Sequence, residues 1–251
     1  MDRVDPPPRQ LHSAYPSHAP PVSLNLVTTP EHACSYFPGR VSRTRAFWAP
    51  EMPGELYHAF MDAGFRRSGR VVYQPVCGGC RRCVPLRVPV GRFRPGKSQR
   101  RVWRRNQDLV VSFGEPEATA EKHDLYERYR REWHGSDDAH DWEAFTSFLY
   151  DSPVDTLEFS YRNPAGKLIG IGICDLCEAS LSSVYFYFDP AERERGLGTF
   201  SAMWEIAWAG EAGIPFYYLG YWVRGCGAME YKANFRPCEV LGTDGVWRGR
   251  V

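Results

Sequence analysis

An α+β fold, a mixed sheet with flanking helices behind a cysteine-containing N-terminal region, is predicted by three stretches of the 251-residue chain. Between 156 and 190, TLEFSYR, LIGIGICDLC and SLSSVYFYFDP read as successive strands of an antiparallel meander, with NPAGK as a turn between the first two. A helix is expected over about 197–212, because Leu197, Phe200, Met203, Trp204, Ala207 and Trp208 recur on one face. PFYYLGYWV, 215–223, then reads as a strongly apolar strand.

The remaining elements follow in order. Residues 1–22 are rich in Pro, Ser and His and read as a disordered arm. PGR before VSRTRAF marks a turn leading into a strand. Pro53 opens a helix whose inward face is Leu56, Ala59, Phe60 and Ala63, and Gly64 ends it. VVYQPV (71–76) is extended. SQRRVWRRNQDL is a short helix or a turn, and DLVVSFG alternates as a strand. Two helices are expected over about 120–134 (Leu125, Tyr126, Tyr129 and Trp133 inward) and 141–150 (Trp142, Phe145, Phe148 and Leu149 inward). Together they read as an inserted hairpin, 119–150, with an acidic outer face. The tail from Met229 fits a short helix and a final strand pair. The domain division is an arm 1–22, a basic cysteine-containing region 23–110 and a core 111–251.

Net charge is only +1, which does not imply wholesale attraction to nucleic acid or membrane, but its distribution is uneven. From Arg66 to Arg105 there are 13 Arg or Lys and no Asp or Glu; from Ser112 to Glu158 there are 13 acidic and 4 basic residues. Guanidinium groups fork onto phosphates and aromatic rings stack on unpaired bases, so the run holding Phe93 and Trp103 reads as a nucleic-acid surface. Arg100, Arg101, Arg104 and Arg105 are its densest part. No stretch reaches membrane-spanning length and the first 20 residues lack a signal-type apolar run, so a cytoplasmic protein without membrane partners is expected.

Three constellations carry chemistry. DPAERERGLGT places Arg193, Gly196 and Gly198 between a strand and a helix, where glycines admit a ligand and free amides face an anion. Acyltransferases of the N-acetyltransferase fold hold a pyrophosphate in this way; a connection that binds nothing is the alternative. Cys77, Cys80 and Cys83 stand three apart and, with Cys34, provide four thiolates suited to zinc or an iron–sulfur cluster, or four free thiols. Cys174 and Cys177 fit small buried strand residues better than ligands. Tyr217, Tyr218, Tyr221, Tyr231 and Lys232 gather at the open end of the last long strand, as reacting groups or as aromatic core. No Ser-His-Asp pattern supports a covalent hydrolase.

Taken in order, CSYFPGR, YQPVCGGCRRCVPLRV, SQRRVWRRNQDL, FYFDP with LGT, and YLGYWV with MEYKANFRP resemble the bacterial aspartate/glutamate leucyltransferases, relatives of the eukaryotic arginyl-tRNA–protein transferases. The resemblance runs from about Ser23 to the end. It implies an N-acetyltransferase-like core and transfer of leucine from leucyl-tRNA to proteins that begin with Asp or Glu, which enter the N-end rule degradation pathway. It also implies a metal or cluster at Cys34, Cys77, Cys80 and Cys83, while the transfer itself needs no cofactor. On this reading Arg100, Arg101, Arg104, Arg105, Arg193, Gly196 and Gly198 bind tRNA. Arg40, Arg45 and Lys232 are candidates for the acceptor's carboxylate. Tyr221, Lys232 and Glu230 are candidates for catalysis. An acetyl-CoA-dependent N-acetyltransferase and a non-catalytic metal-ribbon nucleic-acid-binding protein are the rival readings.

Overall fold

The computed structural model describes residues 24–250 except 137 and 139, so the expected arm lies outside the described residues. In chain order its elements are β1 (Val27–Thr28), β2 (His32–Ala33), β3 (Val41–Ser42), β4 (Thr44–Trp48), α1 (Gly54–Asp62), β5 (Arg66–Ser68), β6 (Val71–Pro75), β7 (Cys83–Pro89), α2 (Lys97–Arg105), β8 (Val110–Gly114), α3 (Ala120–His134) and α4 (Trp142–Leu149). There follow β9 (Thr156–Arg162), β10 (Leu168–Cys177), β11 (Ser180–Phe188), α5 (Leu197–Glu211), β12 (Phe216–Val223), α6 (Gly227–Glu230), β13 (Cys238–Leu241) and β14 (Trp247–Arg250).

Eight strands form one sheet in the order β14-β13-β7-β12-β11-β10-β9-β8. Neighbours are antiparallel except β11 and β12, which run parallel because α5 carries the chain back between them. A meander, a crossover helix and a parallel pair near the middle make the N-acetyltransferase-like arrangement expected from the sequence. A four-stranded sheet, β1-β4-β6-β5, packs with α1 over a second, smaller core built on Phe47, Tyr57, Met61, Phe65 and Val72. The expected division near residue 110 does not follow a sheet boundary. β7 inserts between β12 and β13, so Leu86 and Val88 belong to the main core.

Local chemistry explains the helix ends. Thr119 Oγ1 accepts from the Lys122 amide at the start of α3, and Gly135 ends that helix at φ 62°. Asp141 caps α4 by accepting from the Ala144 amide at 2.8 Å. The Gln99 side chain reaches back to the Gly96 amide (2.8 Å) and fixes the start of α2.

Two details differ from the periodicity. α1 buries Tyr57 and Met61 rather than Ala63, which is exposed, because its core contact lies one residue round the helix. Trp133 and Trp142 are about half exposed, at 49% and 48%: each sits at a helix end and packs one side of its ring, against Phe188 and Phe145 respectively. In the expected hairpin 119–150, α3 lies on β10 and β11 and so forms part of the core's packing. There Leu125, Tyr126 and Phe145 are fully enclosed.

Candidate active site

The parallel ladder between β11 and β12 lasts only from Ser180–Phe216 to Ser182–Tyr218. Beyond it the strands part. β12 shifts register against β7 between Tyr218 and Gly220, and Gly220 takes φ +80°, which side-chain-bearing residues resist. Strands that part in mid-sheet leave backbone groups in need of partners. The Ser183 carbonyl finds one in Arg66, whose Nη2 donates to it at 2.6 Å. Arg66 is delivered by β5 and is 6% exposed, so the small sheet closes one side of the opening in the large one.

Lys232 closes another side, from the turn after α6. Its Nζ lies 3.6 Å from the place a β-carbon on Gly220 would take, and Arg66 Nε and Nη2 lie 3.6 and 3.7 Å from the same place. Burial of its ammonium, and secondly the charge of Arg66, push Lys232 from 10.5 down to about 7. Among the described residues, neither Arg66 nor Lys232 has a carboxylate partner; Arg66 otherwise meets only the Met61 sulfur. Deeper in, α5 places Glu205 where it accepts from Tyr217 Oη (2.5 Å), Cys174 Sγ (3.3 Å) and Tyr161 Oη (3.5 Å). Burial raises its pKa, and the three donors oppose the rise. Cys174 and Cys177 are the buried strand residues expected of them.

The glycine connection and the arginine helix form one unit. Asp189 accepts from the Ala191 amide (3.1 Å), a 3-10 turn follows, and Gly196 at φ +68° lets α5 begin. α2 crosses this point: a Val102 methyl stands 3.3 Å from where a Gly196 β-carbon would be. Asn106 Nδ2 donates at 2.9 Å to the carbonyls of Val102 and Arg195, and Arg105 donates to the Glu194 carbonyl. Arg100, Arg101, Arg104 and Arg105 are exposed, share one side of the helix, and pair with no carboxylate among the described residues. α2 and α5 also enclose a mostly apolar cavity of about 860 Å³ lined by Trp103, Met203 and Ile206, with Arg100 and Arg104 in its wall. It lies toward Ile214 and Pro215, at the paired end of β12, away from the parted ends.

The other sequence candidates scatter. Tyr221 is buried, donates to the Gly64 carbonyl at 2.8 Å, and burial raises its pKa far above 10, so it is committed as a donor. Glu230 accepts from the Gly225 amide (3.0 Å) in a turn. Arg45 donates to Gln74 (2.8 Å) and lies over the Phe65 ring, while Arg40 is exposed over Phe37. Arg193 is exposed beside Glu194, 3.7 Å away. Gly198 stands 3.8 Å, as a β-carbon, from Phe186. Arg66 carries no signal of its own in the sequence, where it is one arginine of a long basic run.

Cys34, Cys77, Cys80 and Cys83 do share a corner. Burial first, then Cys77, Cys80, Cys34 and Cys226, push the Cys83 thiol up to about 12. Cys226, which has no spacing signal, arrives because Cys83 pairs with Val223 across β7 and β12. All five are free thiols, and Cys77 Sγ lies 3.6 Å from Ser42 Oγ. Among the described residues no three His, Cys, Asp or Glu side chains converge as metal ligands, so zinc or a cluster at this corner has no support here. No described helix is long and apolar enough to cross a membrane.

A parted parallel pair fed by a glycine connection belongs to the N-acetyltransferase-like core expected from the sequence. Two family profiles place it further: "Arginine-tRNA-protein transferase, N terminus" matches residues 32–101, and "Arginine-tRNA-protein transferase, C terminus" matches 121–242. The aspartate/glutamate leucyltransferase of Hahella chejuensis is 38% identical over 88% of this chain and 96% of its own. That of Stenotrophomonas maltophilia is 41% identical over 86% and 90%. The chain belongs to the arginine-tRNA–protein transferase family. Among solved structures, L-PGS from Bacillus licheniformis is similar over 77% of this chain and 62% of its own, at 14% identity and a TM-score of 0.49.

Proposed function

We propose that this chain moves leucine from leucyl-tRNA to the α-amine of proteins beginning with Asp or Glu, as the names of its relatives indicate, and so marks them for N-end rule degradation. The donor and acceptor specificities rest on those names. Within the molecule, the observation that carries the reading is a helix of four exposed, acid-free arginines locked onto the glycine connection at the head of α5.

The aminoacyl ester is already activated, so the reaction needs proximity, a neutral amine and a place for the oxyanion. Arg100, Arg101, Arg104 and Arg105 hold tRNA phosphates, and Arg193, Gly196 and Gly198 border the 3′ end. Lys232 is the remaining base: Tyr221 and Glu230 are engaged in backbone hydrogen bonds, whereas Lys232 has no hydrogen bond among the described residues. Its neutral Nζ takes a proton from the acceptor's α-ammonium. The freed amine attacks the ester carbonyl; the C–N bond forms, the C–O bond breaks, and the amine's second proton leaves with the ribose oxygen.

The test is transfer of labelled amino acid to an Asp-initiated peptide, with leucyl- and arginyl-tRNA in parallel and acetyl-CoA as control. Leucine on the peptide is the expected result. Arginine alone, acetylation, or no transfer overturns the reading.

A further inference from the structure

Three arginines of the basic run are interior, and two of them have acids. Arg67 meets Asp175, and Arg87 meets Asp62 and Glu239. Arg66, equally buried, meets a carbonyl and a sulfur. A guanidinium enclosed without an anion is unfavourable, and a second cation beside it makes it more so. Arg66 and Lys232 nevertheless flank one point, above a glycine whose missing side chain leaves room between them. Nη2 of Arg66 is held by Ser183, which fixes the plane of the fork, while Nε faces the same space with no acceptor among the described residues. One planar N–H donor and one ammonium match the two oxygens of a carboxylate.

We propose that Arg66 and Lys232 together bind the side-chain carboxylate of the acceptor protein's first residue, and that Arg66 sets the preference for an acidic N-terminus. This rests on the transfer reaction proposed above and adds the pocket that selects its acceptor. Arg66 holds the carboxylate from the outset. Lys232 becomes its second cation on taking the α-ammonium proton, so an acidic first residue favours release of its own amine. Arg40 and Arg45 are not needed for this contact.

The experiment measures binding of fluorescent peptides that differ only in Asp or Asn at the first position, to wild type, Arg66→Gln and Lys232→Met, together with leucine transfer to each. In wild type the Asp peptide binds more tightly. In Arg66→Gln the Asp-over-Asn affinity ratio falls at least tenfold, while leucyl-tRNA affinity stays within twofold. In Lys232→Met the ratio also falls. Unchanged ratios in folded variants overturn the proposal; if Arg66→Gln does not fold, Lys232→Met alone decides, since replacing an ammonium that burial disfavours leaves the fold intact. Wild type that transfers leucine to neither peptide overturns the transfer reading instead, and wild type that transfers but shows no Asp preference overturns the pocket alone.

Discussion

The arginines of β5–β7 and those of α2 come from one unbroken basic run, yet they do opposite work. Arg67 lies in the interior with Asp175, both side chains at 0% exposure, joined by contacts of 2.5 to 2.8 Å. Arg87 is held by Asp62 and Glu239 and stacks over Phe216 (4.0 Å) and Trp247 (4.4 Å). The α2 arginines project from one helix face, and none pairs with a carboxylate among the described residues. The absence of local acids does not tell the two groups apart. Carboxylates reach the first group from α1, β10 and β13, and among the described residues none pairs with the second. Charge in this protein is therefore structural where the sheets meet and available for a partner where a helix crosses their end.

Breaking the interior group has the largest expected effect. Arg67→Ala leaves Asp175 charged and enclosed, which costs about 3–5 kcal/mol of stability. Urea unfolding checks this, and Arg67→Met with Asp175→Leu should restore most of the loss. A midpoint that scarcely moves in Arg67→Ala would place the arginine at the surface after all.

Replacing Arg100, Arg101, Arg104 and Arg105 together with Ala should barely change the unfolding midpoint. tRNA affinity should fall at least tenfold at low salt. The slope of log affinity against log salt should shrink by about 0.7–0.9 for each phosphate that is no longer neutralised. An unchanged slope would leave this helix face without its partner.

Gly198→Asp tests the connection that α2 covers. A β-carbon fits there at ordinary van der Waals distance, so the fold should tolerate the change, while a new negative charge at the head of α5 should repel the tRNA end. Transfer should fall several-fold or more with a nearly constant melting temperature; full activity would remove this loop from the site.

The most specific effect is the pH dependence of Lys232. Folded, it releases its proton at about 7; unfolded, it keeps the proton to about 10.5. Between these values the unfolded chain binds more protons, so stability rises with pH; below 7 both states are charged and the burial penalty is complete. Lys232→Met should therefore stabilise the protein most below pH 7 and progressively less above it. In wild type, transfer should rise with pH through about 7 as the amine becomes neutral, and the variant should lose that inflection. Denaturation and initial rates from pH 6 to 9 separate the two effects.

Much of the fold was legible because its signals are local. Apolar runs bounded by turns mark β9 to β12, a 3.6-residue stripe marks α3 and most of α5 (Ala207, expected inward, is exposed), and Thr119, Asp141 and Gly196 punctuate the chain where the structure turns. The glycine connection and Lys232 were legible as candidates for the same reason. Arg66 was not: its neighbours in the sequence are another arginine and a strand, and only the gap between β11 and β12 makes it different from Arg67. Cys226 joins the cysteine corner through a strand pairing that spacing cannot reveal. Trp133 and Trp142 misled the periodicity because a helix end can continue an apolar stripe past the surface it packs on.

By itself the sequence determined which segments are helix and strand, where the positive charge is concentrated, and the order of motifs that resembles one family. Those properties depend on residues a few positions apart. The tertiary structure alone decided which arginines find acids, where the parallel strands part, and that Arg66 and Lys232 face the gap with no carboxylate partner among the described residues. Burial and long-range pairing set the cost of a charge, and neither exists until the sheets have come together.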